Sequence, residues 1–328
     1  MGLLRFLLAA LVAISHTGIQ ILGYNPGVVA VISFFLLSGY VMTQLLRKHY
    51  LQPFRLRHFY LDRAARLFPQ YLFYFVLASL LLWQGEVHSI FTHQLTPTKW
   101  LLNLPILPLG FYMLGLEGAL VIPQAWSLGL EMCFYLCIPW LLRLPHSGRH
   151  ALAAASLLVF LAAFIGLLDT DLFGYRLLPG TLFMFLAGAA FAENHTSARR
   201  YLQGVFLLTL VLLAVLALNP ALHQRPYNKE VLLGLALGLP MLAWLKNRPF
   251  SRLDAWLGDL SYGVFLNHFI VIWWLQTYHG VTRFGGLDVV ILLVVSTAAS
   301  LVTYGLVERP ALAWRHALRR SAQSAPSI

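Results

Sequence analysis

Arg5 and His16 stand eleven positions apart in the chain's first apolar stretch, LLRFLLAALVAISHTG. On an α-helix, eleven steps of 100° finish about 20° past three turns, so both side chains share a face, roughly 16 Å apart along the axis. Ionisable groups at bilayer depth are costly and point to function when they face the protein interior. An imidazole so placed can act as a general base, its pKa set by burial. Arg5 lies at the cytoplasmic mouth of the same line, with His16 near mid-membrane. A lone histidine on an apolar face is as often a satisfied core residue; the aligned arginine favours chemistry.

Three further stretches carry chemistry. In FYLDRAARLFPQY, Arg63 and Arg66 stand at i and i+3, just before a membrane helix with Pro69 near its start. Two guanidiniums beside a helix N-terminus suit phosphate, although the same pair is also an ordinary basic cluster for lipid headgroups. In WSLGLEMCFY, Ser127 and Glu131 share a helix face, with Tyr135 a turn further. Glu131 lies a turn or two below the outer surface, where it can bind an acceptor hydroxyl, orient an imidazole or hold a structural hydrogen bond. In GDLSYGVFLNHFI, Ser261 and His268 fall within about 20° of one face. A hydrogen bond to a neighbouring helix is the simplest role for that histidine. LVERP sets Glu308 at the cytoplasmic edge of the last span, where it can pair with Arg63 or Arg66.

These residues need membrane helices to position them. Only 11% of the 328 residues are charged, 59% are hydrophobic, and the mean hydropathy is +0.72. Soluble domains carry about a quarter charged residues. Each span needs about 20 apolar residues, and the sequence predicts ten: 3–22, 28–46, 67–83, 125–143, 151–168, 175–192, 201–218, 230–246, 255–278 and 287–307. The fold class is therefore all-α and polytopic. The apolar stretch 100–122 holds three prolines, glycines and Glu117, and reads as a re-entrant or interfacial segment in an extracytoplasmic loop, 84–124.

With both termini cytoplasmic, only Lys99, Arg176, Arg225, Lys229 and Arg283 of the 23 lysines and arginines fall outside. That asymmetry is the positive-inside pattern. It accounts for the net charge of +11 without nucleic acid. The chain reads as one membrane domain over 1–328, with a short cytoplasmic tail at 311–328. Residues 1–15 also have the charge, apolar run and small residues of a signal peptide, but the apolar run continues to Leu22. Cys133 and Cys137, four apart, suit neither a relaxed disulfide nor zinc. No metal spacing, Walker loop or nucleophile elbow occurs.

Taken together, these parts describe a two-sided site: an anionic substrate from the cytoplasm and a second substrate from the outer face. Six of the motifs, in order, resemble the acyltransferase-3 family of integral-membrane acyltransferases. Arg5 and His16 match its first-helix pattern of Arg or Lys, ten residues, then His. FFLLSGYVMT, with Ser38, is similar to its second-helix stretch. RAARLFPQY carries its Arg-x-x-Arg-x-x-Pro element, WSLGLEMCFY its Trp-Ser-Leu-x-x-Glu signature from Trp126, and LSYGVFLNH and VERP fit its last two helices.

The resemblance implies His16 as the catalytic imidazole, Arg5, Arg63 and Arg66 on the acyl-CoA side, and Glu131 as a site carboxylate. Ser38, Trp126, Ser127, Tyr135, Ser261, Tyr262, His268 and Glu308 would bind substrate or support the site. It further implies acyl-CoA, most simply acetyl-CoA, as donor, with no permanently bound cofactor and no metal. The acceptor would be a glycan or lipid-linked hydroxyl, and the setting a bacterial inner membrane. Members usually carry Asp-Gly-Leu-Arg where MGLL stands here, and many add a hydrolase-like domain for which this sequence has no stretch. Transfer would then be completed in the membrane unit. Either direct attack or a route through an acylated imidazole fits. A proton-coupled transporter or flippase for an anionic or glycolipid substrate would use the same intramembrane His and Glu, but the repeated halves common in transporters are absent from the sequence.

Overall fold

The computed structural model describes residues 1–51, 55–85, 87, 89–193, 195–249 and 251–314. A backbone in lipid must satisfy its own polar groups, and these apolar runs do so as helices. In chain order they are α1 (Gly2–Ser15), α2 (Pro26–His49), α3 (Leu56–Trp83), α4 (Pro97–Asn103), α5 (Trp126–Leu141), α6 (His146–Phe164), α7 (Leu178–Phe191), α8 (Thr196–Leu218), the single turn α9 (Pro220–His223), α10 (Asn228–Leu245), α11 (Arg252–His279) and α12 (Gly286–Thr303). Among the described residues there is no strand, only an isolated bridge between Ile21 and Tyr24.

Among the described residues eight helices are long and apolar enough to cross a membrane, α7 counting with the π-helical turn Leu172–Arg176 before it, so the chain is an all-α polytopic membrane protein. The other two predicted spans are shorter than expected: α1 has 14 residues and α5 has 16. The apolar run after His16 does not continue the first helix. Gly18, Leu22 and Gly23 take positive φ (82°, 53° and 77°), and the chain turns there. Among the described residues of the segment 84–124 the longest helical pieces are seven-residue α4 and an eight-residue 3₁₀ stretch, Leu107–Leu114, both too short to cross. Most of the predicted tail, 315–328, lies outside the described residues.

Contacts sort the chain into two compact units. The first is Met1–Ile19, His49–Gly129 and Phe250–Ile328; the second is Gln20–Lys48 and Leu130–Pro249. In the first, α1 and α11 run parallel. Asp254 accepts from the backbone N–H groups of Gly2 and Leu3, both at 3.0 Å, so an α11 carboxylate caps the positive end of α1. At that crossing a Cβ on Gly258 would come within 2.9 Å of Gly2 Cα, so small residues let the two backbones touch. The loop segment is a packed part of this unit. Buried Asn103 donates to the Lys99 and Ala119 carbonyls (2.8 and 2.9 Å) and accepts from Val121 N–H at 3.0 Å.

In the second unit α2 and α7 meet backbone to backbone. A Cβ on Gly39 would lie 1.9 Å from the Phe185 carbonyl oxygen, and one on Gly188 would lie 2.0 Å from that of Leu36. Gly39 of the second-helix motif is thus fixed by packing. Beside this contact Phe185 stacks between Phe35 and Phe134, with centroids 4.7 and 4.4 Å away.

Where α7 leads into α8, buried Glu193 accepts from Arg47 at 2.6 Å, from Arg149, and from His195 Nε2 at 2.6 Å. Burial works to raise the Glu193 pKa, but the Arg149 hydrogen bond and the charges of Arg149 and Arg47 outweigh it and hold the carboxyl low. A depressed carboxyl contributes stability that is complete above its unfolded value, about 4.3, and is lost as the pH falls through the folded value. Glu193→Gln is expected to cost about 3 kcal/mol at pH 7 and to flatten the acid limb. Thermal unfolding in detergent from pH 7 to 3 checks both; an unchanged midpoint and acid limb would refute the pairing.

Candidate active site

His16 is the residue that closes α1, with its φ of −78° and ψ of −6°. It is half-buried, at the end of a helix about 21 Å long. Its Nδ1 lies 3.0 Å from Nε2 of His268, a fully buried residue of α11. The two rings are nearly parallel, with centroids 5.1 Å apart and planes 12° apart, and Phe269 packs against His16 at 4.6 Å. The interval from Gly2 to His16 equals that from Asp254 to His268, so two parallel helices pinned at their starts meet in register at the histidines.

The arginines lie toward the other end of the same unit. Helix α3 starts at Leu56, not near Leu67, so the expected helix N-terminus beside Arg63 and Arg66 is not there; both stand inside the helix, as does Pro69. The polar stretch HFYLDRAAR lowers hydropathy without interrupting backbone hydrogen bonding. Arg63 pairs with Asp62, and Arg66 pairs with Glu308, which closes a π-helical turn after α12. The pairing of Glu308 was one of the two expected from sequence. The Arg66 guanidinium also lies 5.0 Å over the Tyr262 ring, whose hydroxyl donates to the Leu67 carbonyl at 2.9 Å. The charges of Asp259, Arg5 and Arg63 all act on Arg66, so the three expected cations form one electrostatic group. A cavity of about 10 Å³ between Arg66, Pro69, Gln70 and Glu308 has room for one water.

A buried polar ladder continues from Gln70. Gln70 donates to Thr303 at 3.2 Å; Tyr74 and Thr303 share a bond of 2.8 Å; Asn267 donates to Tyr74 at 3.1 Å and to the Ser296 carbonyl at 2.9 Å. Gln124 donates to the carbonyls of Phe265 and Leu266, at 2.7 and 2.8 Å, bracing the α11 segment that carries His268. Ser127 Oγ donates to the Gln124 carbonyl at 3.1 Å, and Ser261 Oγ donates to that of Gly258 at 2.7 Å, so both hydroxyls serve the backbone. Trp126 is buried at the start of α5.

Glu131 belongs to the second unit. Its Oε1 accepts from Ser38 of α2 and from Tyr135 at 2.6 Å, one turn along α5. Glu131 and Tyr135 thus share a face of α5, as their spacing predicts.

A family model described as an acyltransferase domain, acyltransferase-3, matches residues 1–305. The chain belongs to the acyltransferase-3 family. It is accordingly a membrane acyltransferase. An uncharacterized protein of Aquifex aeolicus (strain VF5) is 31% identical over 204 residues, covering 61% of this chain and 91% of that protein. No solved structure matches. In this acyltransferase-3 chain, sequence reasoning missed Asp62, Gln70, Tyr74, Gln124, Asp254 and Thr303. A polar side chain inside an apolar run was the available signal for Gln70, Tyr74 and Thr303; nothing local marked Gln124 or Asp254 as partners of α11 and α1.

His146, Glu193 and His195 offer ligand atoms within 4.8 Å of one another. Their lone pairs are already committed. His195 Nδ1 accepts the Ala198 N–H at 3.0 Å, so a neutral ring carries its proton on Nε2 and donates it to Glu193. His146 Nδ1 accepts from Arg149 at 2.5 Å. An arginine fills the place a cation would need, and the group reads as a structural ion network.

Proposed function

We propose that this acyltransferase moves an acyl group, most simply acetyl, from cytoplasmic acyl-CoA to a hydroxyl of an exported or membrane-bound acceptor, a sugar of a surface glycan. The bacterial inner membrane, with both termini in the cytoplasm, is the setting that gives each substrate its side. The observation that carries the reading is the His16 imidazole, held at the end of α1 by a second histidine.

In direct transfer, His16 takes the proton of the acceptor hydroxyl as its oxygen attacks the thioester carbonyl. The C–S bond then breaks, the new ester keeps the acyl group, and the thiolate takes the proton from the imidazolium to leave as CoA. Arg5, Arg63 and Arg66 serve the phosphates of CoA; Asp62 and Glu308 hold two of them until an anion competes for them. Glu131, already accepting from two protein hydroxyls, is the site carboxylate that would take an acceptor hydroxyl in exchange for one of them.

Binding of radiolabelled acetyl-CoA to purified protein tests the donor assignment. Saturable binding is expected, weakened by at least about tenfold in Arg63→Ala with Arg66→Ala and largely kept in His16→Ala. Absence of binding by folded wild type, for acetyl-CoA and longer acyl-CoAs alike, would overturn it.

A further inference from the structure

The hydrogen bonds of His268 determine which nitrogen of His16 carries the lone pair. We infer that His268 is a positioning residue that fixes the Nδ1–H tautomer of His16 and presents its Nε2 as the basic atom, an inference that rests on the proposed role of His16.

A backbone carbonyl can only accept. The Val264 carbonyl lies 3.2 Å from His268 Nδ1, so Nδ1 of His268 carries a proton and donates it. A neutral imidazole has one N–H, which leaves His268 Nε2 as an acceptor. The group facing that acceptor at 3.0 Å is His16 Nδ1, which must then be the donor. His16 in turn has its lone pair on Nε2. The direction of both bonds follows from the one partner that has no alternative role. A cationic His268 would donate from both nitrogens, and burial without a carboxylate partner opposes that charge. Phe265 and Phe269 of α11 pack their rings against the pair.

The arrangement has a consequence for the reaction. When Nε2 of His16 takes a proton, Nδ1–H becomes the second donor of an imidazolium, and its bond to His268 becomes charge-assisted and stronger. His268 thus stabilises the charged form while remaining neutral, and no proton passes to it. The partner also holds the ring plane, since rotation of His16 about χ2 would put a C–H against the His268 lone pair. Gln124 and Asn267 brace the turn of α11 on either side of it.

The first measurement is ¹⁵N NMR of histidine-labelled wild type in nanodiscs, with the His16 signals identified by their loss in His16→Asn. A protonated Nδ1 and an unprotonated Nε2 are expected; a protonated Nε2 would overturn the inference whether or not the protein transfers acyl groups. The second is turnover in His268→Gln and His268→Ala, using radiolabelled acetyl-CoA and a membrane glycan fraction. Glutamine offers an acceptor near the place of Nε2, and alanine offers none. His268→Ala is expected to lose about 10–100-fold in kcat with KM for acetyl-CoA within about twofold, and its His16 is expected to show mixed tautomers; His268→Gln should recover most of both. Equal losses in the two variants, with the His16 tautomer unchanged, would make His268 a packing residue only. Inactive wild type with the expected tautomer would instead refute the proposed reaction and leave the geometry standing.

Discussion

His16→Ala is expected to lower acyl transfer by at least about 10²–10⁴-fold, the usual contribution of a general base, while acetyl-CoA binding stays within a few-fold of wild type. The imidazole sits at the end of α1, away from the arginine group, so its removal would take away the proposed proton acceptor and leave the arginines in place. The measurement is incorporation of label from acetyl-CoA into a membrane glycan fraction, set beside binding of the same donor. Turnover near the wild-type rate would exclude His16 as the base. A variant that neither binds nor turns over would report loss of fold, and His16→Asn, which keeps a polar side chain of similar reach, distinguishes that outcome.

The second large effect concerns Arg66 and Glu308, which pair in the interior of the first unit with the guanidinium over Tyr262. Breaking such a pair from one side leaves an uncompensated charge and typically costs about 3–5 kcal/mol. Glu308→Gln should therefore lower the thermal midpoint markedly. Replacing both partners by leucine removes the charge and its counter-ion together, and its stability is expected to return to within about 2 kcal/mol of wild type. If Arg66 reads the phosphates of CoA, the double variant will be stable and yet bind acetyl-CoA poorly. Stability and binding then separate in one protein, which neither single variant achieves. A double variant as unstable as Glu308→Gln would show that the pair is not the contact that matters.

The helical character of the long apolar runs was legible in the sequence, because it follows from a count of apolar positions. Helix ends were less so. Hydropathy continues from His16 to Leu22, and only the glycines at 18 and 23 hinted that α1 stops. At α3 the error had the opposite sign: the polar stretch before Leu67 looked like a loop, yet it is helical back to Leu56, which moves Arg63 and Arg66 from a helix end into a helix body. The partner of His16 was out of reach for a different reason. His268 lies 252 residues away, and no local pattern records which apolar faces meet. Ser261, chosen because it shares a face with His268, turned out to bond its own helix.

The brevity of α1 sets a depth. Fourteen helical residues rise about 21 Å, whereas the hydrocarbon layer of a bilayer is about 30 Å thick. The chain turns after His16, so this helix is roughly 9 Å shorter than that layer is thick. For the proposed transfer, an acceptor hydroxyl would then reach His16 at a depth set by the length of the polypeptide helix and not by the thickness of the lipid around it.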